Sequence, residues 1–251
     1  MKTQGIEMIK VLVTAKNGQL GWELNNTLPV DHFEALFLDS KELDITNESA
    51  VSEIFSKFQP DYVINAAAYT AVDKAETDSE TAYLVNHQGV KNLAQACSER
   101  GAKLIHISTD FVFDATKNTP YTPEDETNPL GVYGESKLAG EMAVAEILGS
   151  NANIIRTAWV YSTHGNNFVK TMLRLMAEKE QLSIVSDQVG TPTNAKNLAK
   201  AIWQLVEKEH SDSLSASTNT NGNTNANIYH WTDLGTASWY DFAVAIQELG
   251  L

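Results

Sequence analysis

Short apolar runs that alternate with longer amphipathic stretches are the feature that most constrains the fold of this chain. Five runs are rich in β-branched residues and lack strict polar alternation: 9–14, 34–39, 62–67, 103–108 and 153–157. Strands that helices cover on both faces have this composition. The segments between them predict helices at 19–28, 47–58, 80–100 and 133–148. Strand followed by helix, repeated, predicts an α/β fold with a doubly wound parallel sheet, as in Rossmann-like proteins.

The alternation of strand-like and helical segments becomes less regular after about residue 158. There the sequence predicts a helix at 166–179, a strand at 182–186, a helix at 195–209, a strand near 228–231 and a last helix at 238–249. We therefore divide the chain into a Rossmann-like domain, 1–160, and a mixed segment, 161–251, that completes the sheet and forms a smaller substrate lobe. Residues 211–227 are mostly Ser, Thr and Asn and predict a mobile surface loop.

Composition limits the partners of the chain. Its 18 Lys and Arg against 32 Asp and Glu give a net charge of −14, which disfavours nucleic acid and anionic membrane surfaces as partners. The sequence has no run of about 18 apolar residues and no signal-like start, so we expect a cytoplasmic protein. The single cysteine, Cys97, lies in an apolar helical stretch and predicts a small core residue.

A glycine-containing turn follows the first predicted strand. Gly18 and Gly21 match the last two glycines of a G-x-x-G-x-x-G turn, in which backbone amides and a helix N-terminus face a pyrophosphate. Ala15 takes the place of the first glycine, where we expect a methyl group only at negative φ. An ordinary strand-to-helix turn is the alternative. Asp39, 18 residues after Gly21, has about the spacing of an acid that binds the adenine ribose, which leans slightly toward NADH over NADPH.

The stretch YGESK, 133–137, places a tyrosine four residues before a lysine on a predicted helix. Positions i and i+4 share a face, so Tyr133 and Lys137 can point into one cleft. A neighbouring ammonium is expected to lower the pKa of the phenol. Such a pair can pass a proton to a carbonyl oxygen while hydride reaches its carbon.

A hydroxyl-rich segment ends the fourth predicted strand. Ser108, Thr109 and Asp110 would lie at the carboxyl edge of the sheet, where ligands bind in open α/β folds. A helix cap or a turn is the alternative for this tripeptide. With Tyr133 and Lys137, the segment completes a Thr/Tyr/Lys constellation that is suited to carbonyl reduction.

Seven stretches in order along the chain carry a family resemblance. They are NGQLGWEL (17–24), PDYVINAAAYTAVDKAE (60–76), STDFVF (108–113), NPLGVYGESKLAGE (128–141), RTAWVYSTHGNNFVKTMLRL (156–175), DQVGTPT (187–193) and IYHWTDLGTASWYDFA (228–243). With them the chain resembles an extended short-chain dehydrogenase/reductase, and more closely the dTDP-4-dehydrorhamnose reductase family. The resemblance implies an oxidoreductase that uses NADPH or NADH to reduce a dTDP-4-keto-6-deoxyhexose at C4, giving dTDP-L-rhamnose in the family's usual role. It also allows a homodimer, because helices flanking such sheets often pair between subunits in this superfamily.

The resemblance assigns roles to individual residues. Tyr133 would protonate the sugar C4 oxygen, Lys137 would hold the nicotinamide ribose and lower the phenol pKa, and Thr109 would bind the carbonyl. Arg156 is expected to be structural. The cofactor would contact Gly18, Gln19, Leu20, Gly21, Asp39, Asp44, Ile45, Ala66, Ala67, Ala68, Tyr69, Ser108, Tyr133 and Lys137. The deoxysugar nucleotide would face Val72, Thr109, Asp110, Phe111 and Trp159.

Three departures from the family pattern qualify these assignments. Phe111 replaces a common tyrosine and removes a hydroxyl. Glu23 matches one carboxylate of a magnesium site that some members have, but Lys196 stands where another would be, so we expect no metal site of that type. The family pattern normally continues past the last helix, whereas this sequence stops at ELGL, so we expect an incomplete substrate lobe.

Two other functions remain open at this level. One is a non-catalytic nucleotide-binding regulatory subunit on the same scaffold, which the sequence end and Ala15 favour and the Thr/Tyr/Lys set opposes. The other is an extended-family nucleotide-sugar epimerase or dehydratase, which would keep its nicotinamide bound and consume no added NADPH.

Overall fold

A parallel sheet forms the centre of the protein, described here from a computed structural model of residues 8–215 and 225–250. Its strands are β1 (Ile9–Thr14), β2 (Phe33–Leu38), β3 (Tyr62–Asn65), β4 (Lys103–Thr109), β5 (Ala152–Thr157) and β9 (Asn227–His230). They lie in the order β2-β1-β3-β4-β5-β9, and every neighbouring pair is parallel. The predicted doubly wound fold is therefore confirmed.

Helices cover both faces of this sheet. The described residues form the helices α1 (Gln19–Asn26), α2 (Glu48–Phe58), α3 (Val72–Ala75), α4 (Ser79–Tyr83), α5 (Val90–Arg100), α6 (Val132–Leu148), α7 (Phe168–Glu178), α8 (Ala195–Ser215) and α9 (Trp239–Gly250). Of these, α1 and α8 pack on one face of the sheet and α2, α5 and α6 on the other, whereas α7 and α9 pack against each other. Short strands β6 (Val160–Tyr161), β7 (Val189–Gly190), β8 (Thr193–Asn194) and β10 (Ala237–Ser238) pair outside the sheet as β6 with β8 and β7 with β10.

Alternate residues of each strand enter two different cores. Leu12 of β1 packs with α2, α5 and α6, whereas Val11 and Val13 pack with α1 and α8 on the opposite face. Successive side chains of a strand point to opposite faces, so a strand buried on both sides must be apolar throughout. This explains why the central runs of the sequence lack polar alternation.

The chain reverses direction across the sheet between β1 and β3. From β1 the chain moves to β2 on one side, and then crosses back to β3 on the other. In open α/β sheets such a switch point leaves a crevice beyond the carboxyl ends of the strands, and ligands bind there. The fold therefore places a candidate site after β1, β3 and the neighbouring β4.

The predicted helix 80–100 is divided into three parts. A π-helical turn, Leu84–Gly89, joins α4 to α5. The turn places Asn86 where its side chain binds the loop after β3 and the helix α6. Single π turns of this kind are frequent at functional sites.

Two predictions for the second half of the chain were wrong. Residues 182–186, which the structure describes, form no strand: Leu182 and Ile184 instead pack against α7 and α9 around Met172. Residues 211–215 continue α8 instead of opening the predicted loop, and residues 216–224 of that loop lie outside the described residues. A short apolar run has the same composition whether it pairs with another strand in a sheet or only packs against helices. Periodicity therefore did not separate the two cases.

Cys97 is a buried free thiol in α5, as predicted. Among the residues described, no helix combines the length and the apolar composition needed to cross a bilayer. The predicted division into 1–160 and 161–251 stays a prediction, although β9 from the second part does extend the sheet of the first.

Candidate active site

The turn between β1 and α1 is tight, and Ala15 lies at its start. Ala15 has a φ of +56°, so the expectation of a negative φ was wrong, and the residue carries the strain of a left-handed conformation. The Gly18 amide donates to the Ala15 carbonyl at 2.8 Å. A Cβ on Gly21 would lie 2.2 Å from that carbonyl oxygen, so the turn requires glycine there because of close backbone approach.

The N-terminus of α1 is open to a ligand. Gly18 is the N-cap, and no side chain of the described residues caps it. The first N–H groups of a helix lack intrahelical partners and carry the positive end of its dipole. The turn has the geometry that a dinucleotide pyrophosphate requires, and its role as the pyrophosphate site stays a prediction.

A cleft of about 440 Å³ lies beside this turn at the switch point. Seven of the predicted cofactor residues line it: Gly18, Asp39, Asp44, Ile45, Ala67, Ala68 and Tyr69. Its other lining residues were not among the predicted cofactor contacts, although Ala15 was placed in the turn: they are Ala15, Asn17, Ser40, Lys41, Leu43, Thr46 and Val85. Val85 comes from the π-helical turn and the others from the loops after β1 and β2, which the fold brings together with the loop after β3.

Other predicted cofactor residues lie outside this lining. Leu20 is a core residue against β1, and the Ala66 amide donates to the Thr14 hydroxyl. The Gln19 side chain accepts from Asn167 Nδ2 at 2.9 Å, so it faces the segment after β6. Ser108 is buried and its hydroxyl has no hydrogen-bond partner within the described part of the chain.

Asp39 organises the loop after β2 as well as lining the cleft. Its Oδ1 accepts from the Lys41 and Glu42 amides at 2.9 and 3.1 Å, and its Oδ2 accepts from Asn17 Nδ2 at 2.8 Å. The Lys41 amide bond is the largest effect on its pKa, which lies below the ordinary value. An ionised carboxylate accepts about four hydrogen bonds, so it retains capacity for a ribose hydroxyl.

Thr109, Tyr133 and Lys137 come together at the carboxyl end of β4. Thr109 ends β4, and its hydroxyl donates to Asp110 Oδ1 at 3.2 Å and accepts from the Phe111 amide at 3.2 Å. The same hydroxyl lies near enough to the Tyr133 phenol to lower its pKa. Tyr133 and Lys137 lie one turn apart on α6, with Lys137 fully buried and its Nζ donating to the Ile107 carbonyl at 2.6 Å. Because β4 lies two strands from β1, the set is about 10 Å across the sheet from the phosphate turn.

The electrostatics of this set differ from the prediction. Burial raises the pKa of Tyr133 to about 12, against a smaller lowering by the Thr109 hydrogen bond. Burial also lowers the pKa of Lys137 to about 8. The prediction of an acidic phenol is therefore wrong for the protein without cofactor. Desolvation is the largest effect on the Tyr133 pKa, and Tyr133 is neutral at pH 7.

The predicted sugar-facing residues lie after β4, at the start of α3 and between β5 and β6. The Phe111 ring meets the Tyr133 ring edge-on at 5.4 Å, and 46% of Phe111 is exposed. Burial raises the pKa of Asp110 to about 6. Trp159 has a φ of +50° and stacks on Trp239 at 3.5 Å. Val72 begins α3 and is half-buried.

Asn86 is a structural member of the site that sequence reasoning missed. Its side chain accepts from the Tyr69 amide at 2.8 Å, and donates to the Tyr69 carbonyl and the Ser136 hydroxyl. It thereby joins the cleft loop to α6, next to Tyr133 and Lys137. No sequence signal separated it from the neighbouring polar residues His87 and Gln88, which are not buried.

Glu23 is buried in α1, and its carboxylate accepts from the Ser162 hydroxyl at 2.7 Å. His106 is likewise a buried, hydrogen-bonded residue, with Nδ1 3.1 Å from Asn65 Nδ2. Across residues 8–215 and 225–250, no group of three or more His, Cys, Asp and Glu side chains is arranged to hold a metal ion.

Comparison with known proteins identifies the family. The model of the RmlD substrate binding domain matches residues 9–249. A dTDP-4-dehydrorhamnose reductase of Aggregatibacter actinomycetemcomitans is 44% identical over 243 residues, which are 96% of this chain and 79% of that protein.

Solved structures agree with this assignment. A dTDP-4-dehydrorhamnose reductase of Bacillus anthracis, in complex with NADP, is 37% identical with a TM-score of 0.87, over 97% of this chain and 81% of the other. An orthologue from Clostridium acetobutylicum is 42% identical, also with a TM-score of 0.87, over 96% and 80%. With the switch-point cleft and the Thr109, Tyr133 and Lys137 set in place, these matches show that the chain belongs to the dTDP-4-dehydrorhamnose reductase family.

Proposed function

We propose that this protein reduces a dTDP-4-keto-6-deoxyhexose, dTDP-4-dehydrorhamnose, to dTDP-L-rhamnose with NADPH or NADH. The observation that carries the proposal is the convergence of Thr109, Tyr133 and Lys137 two strands from an open helix N-terminus. Family membership supports the substrate class, since the relatives named above are reductases of this sugar nucleotide.

The residues present fit a nicotinamide dinucleotide. The free N–H groups of α1 would hold the pyrophosphate, and the cleft beside Asp39, Ala67 and Tyr69 would hold the adenosine half. When bound, the cofactor supplies a hydride. Ser40 and Lys41 lie beside Asp39 in the cleft, so a 2′-phosphate would meet one acid and one base there. This balance supports both cofactors, and the Bacillus anthracis relative binds NADP.

The chain's own residues supply the proton and the orientation. Tyr133 is neutral at pH 7, the state that a proton donor needs, and would protonate the C4 oxygen as hydride reaches C4. The C=O double bond becomes a C–OH single bond, and the cofactor is oxidised. Thr109 would hydrogen-bond the same oxygen, and Lys137 would bind the nicotinamide ribose. Asp110, Phe111 and Trp159 would contact the deoxysugar nucleotide.

Mixing the protein with NADPH and the keto-sugar nucleotide tests this proposal. We expect loss of reduced-nicotinamide absorbance and formation of the 4-hydroxy sugar. Tyr133→Phe should lower kcat by about 100-fold or more, because general acid catalysis contributes about 10²–10⁴-fold. Tyr229→Phe, on strand β9 at the sheet edge, is the matched control and should leave kcat unchanged.

Two outcomes would contradict the proposal. Near-normal turnover by Tyr133→Phe would remove the phenol from the mechanism. Binding of the dinucleotide without consumption of NADPH by the unaltered protein would instead indicate a regulatory subunit, or an enzyme that retains its nicotinamide.

A further inference from the structure

A buried ion pair joins α6 to the sheet next to the proposed catalytic residues. The Arg156 guanidinium, on β5, donates from Nε to Glu141 Oε1 at 3.0 Å and from Nη2 to Oε2 at 2.7 Å. Side-chain exposure is 5% for Arg156 and 4% for Glu141. Pairs this deeply buried gain little net stability, because desolvation offsets their attraction. Stability alone therefore gives a weak reason for this pair.

The carboxylate of the pair lies on the same face of α6 as the catalytic residues. Tyr133, Lys137 and Glu141 are each four residues apart, and such positions lie above one another on a helix. Glu141 is thus one turn beyond Lys137, on the side away from Tyr133. The three side chains form one row, from the proton donor to the ion pair.

Lys137 needs a negative charge nearby to remain an ammonium ion. It is 2% exposed, and its Nζ donates to the Ile107 carbonyl, which is a neutral acceptor. A buried ammonium without a counter-charge gives up its proton more readily than it remains charged. The ribose-binding role proposed for Lys137 requires the protonated, three-donor form.

Several titratable or charged groups are on the elements that pack against Lys137. On β4, His106 is fully buried, and burial lowers its pKa well below the ordinary value, so it is neutral. Asp110 follows β4, Arg156 lies on β5 and Tyr133 shares α6. Burial lowers the Lys137 pKa, and the Glu141 carboxylate opposes this by raising it.

Arg156 holds the Glu141 carboxylate in a fixed orientation. Its guanidinium binds both carboxylate oxygens and lies over the Phe113 ring, 5.1 Å from the ring centre. Its strand position pairs with Ser108 of β4, the residue before Thr109. A planar guanidinium bound at two points restricts a carboxylate more than a single contact does.

We propose that Glu141, clamped by Arg156, is a positioning residue that keeps Lys137 protonated. The inference rests on the proposed role of Lys137 in the reductase. It adds Glu141 to the row on α6 and gives the buried pair a function, which is to maintain the positive charge of Lys137.

The test is a direct titration of Lys137 in the cofactor-free protein. Protein labelled with ¹³C at the lysine ε-carbons is titrated by NMR, and the Lys137 signal is assigned by its loss in Lys137→Arg. In Glu141→Gln, which keeps the side-chain shape, we expect the Lys137 pKa to fall by on the order of one unit. Glu146→Gln, on the exposed face of the same helix, is the matched control and should leave the pKa unchanged.

A double variant guards against misfolding. Glu141→Gln alone leaves Arg156 buried and unpaired, which is destabilising, whereas replacing both members of a buried pair is often tolerated. Glu141→Gln with Arg156→Met should therefore fold, and should lower the Lys137 pKa in the same direction by a smaller amount. A Lys137 pKa equal to that of the unaltered protein, in either variant when folded, would overturn the inference.

The titration is independent of the proposed reaction. It needs no substrate, so failure of the reductase assay with an intact pKa shift would reject the proposed function and leave the charge coupling standing. If the reductase assay succeeds, the alkaline fall of kcat should move to lower pH in Glu141→Gln and stay in place in Glu146→Gln. If the ion pair is purely structural, Glu141→Gln should lower kcat without moving the pH at which kcat falls.

Discussion

Replacing Gly21 with alanine would test the geometry of the phosphate-binding turn. The new Cβ would lie 2.2 Å from the Ala15 carbonyl oxygen, 2.8 Å from its carbon and 2.9 Å from Lys16 Cα. Nonbonded heavy atoms rest at about 3.5 Å, so the helix and the turn must separate by roughly 1 Å. All three atoms belong to the backbone, so no side-chain rotation relieves the contact.

Two quantities should change in the Gly21→Ala protein. Overpacking of this kind costs about 1–3 kcal/mol, and about 2–4 °C of Tm per kcal/mol at this chain length predicts a fall of roughly 2 to 12 °C. If the shift also removes two charge-assisted hydrogen bonds to the pyrophosphate, each about 1.5 kcal/mol or more, NADP⁺ affinity falls by about 100-fold. Differential scanning calorimetry and isothermal titration calorimetry measure the two effects.

Gly101→Ala is the control that separates stability from binding. Gly101 ends α5 with a φ of +71°, and no described atom lies within 4 Å of its added Cβ. An alanine there carries only left-handed strain of about 1–2 kcal/mol, so Tm should fall while NADP⁺ affinity is kept. Unchanged NADP⁺ affinity in Gly21→Ala would refute the assignment of the turn as the pyrophosphate site.

Two further predictions concern strain and pH. Ala15→Gly should raise the free energy of unfolding by up to about 1.5 kcal/mol, because relief of about 1–2 kcal/mol of left-handed strain exceeds glycine's entropic cost of about 0.5–1 kcal/mol. An unchanged urea midpoint would contradict this. The Lys137 pKa is lowered to about 8 from 10.5, so kcat/KM should fall above about pH 8 as the ammonium is lost. Between about pH 8 and 10.5, Lys137 is protonated in the unfolded chain and neutral in the folded protein. The contribution of Lys137 to the free energy of unfolding should therefore rise with pH over this interval, which urea titrations would show.

The chemistry of the site was readable in advance because it depends on local order along the chain. Gly18 and Gly21 follow a strand, Thr109 ends one, and Tyr133 and Lys137 share a helical face; each relation follows from backbone geometry over a few residues. The charge states could not be read in this way. Desolvation of Tyr133 and Lys137 depends on everything that packs around them, and burial reversed the expected direction for the phenol.

The errors in the second half have a similar cause. Leu182 and Ile184 have a strand-like pattern, but they pack against α7 and α9 and do not pair with a strand. Asn86 and Glu141 looked like ordinary polar residues on helices. Their partners, Tyr69 and Arg156, lie 17 and 15 residues away, and only the folded chain brings each pair into contact.

The sequence by itself determined the alternating strands and helices of the first half, the apolar faces and the identity of the reactive side chains, because periodicity and turn chemistry act over short range. The tertiary structure alone decided which loops share the cleft, which hydroxyl faces Tyr133 and how strongly Lys137 is desolvated. Those properties depend on distances between residues far apart in the chain, and on the water that packing removes from them.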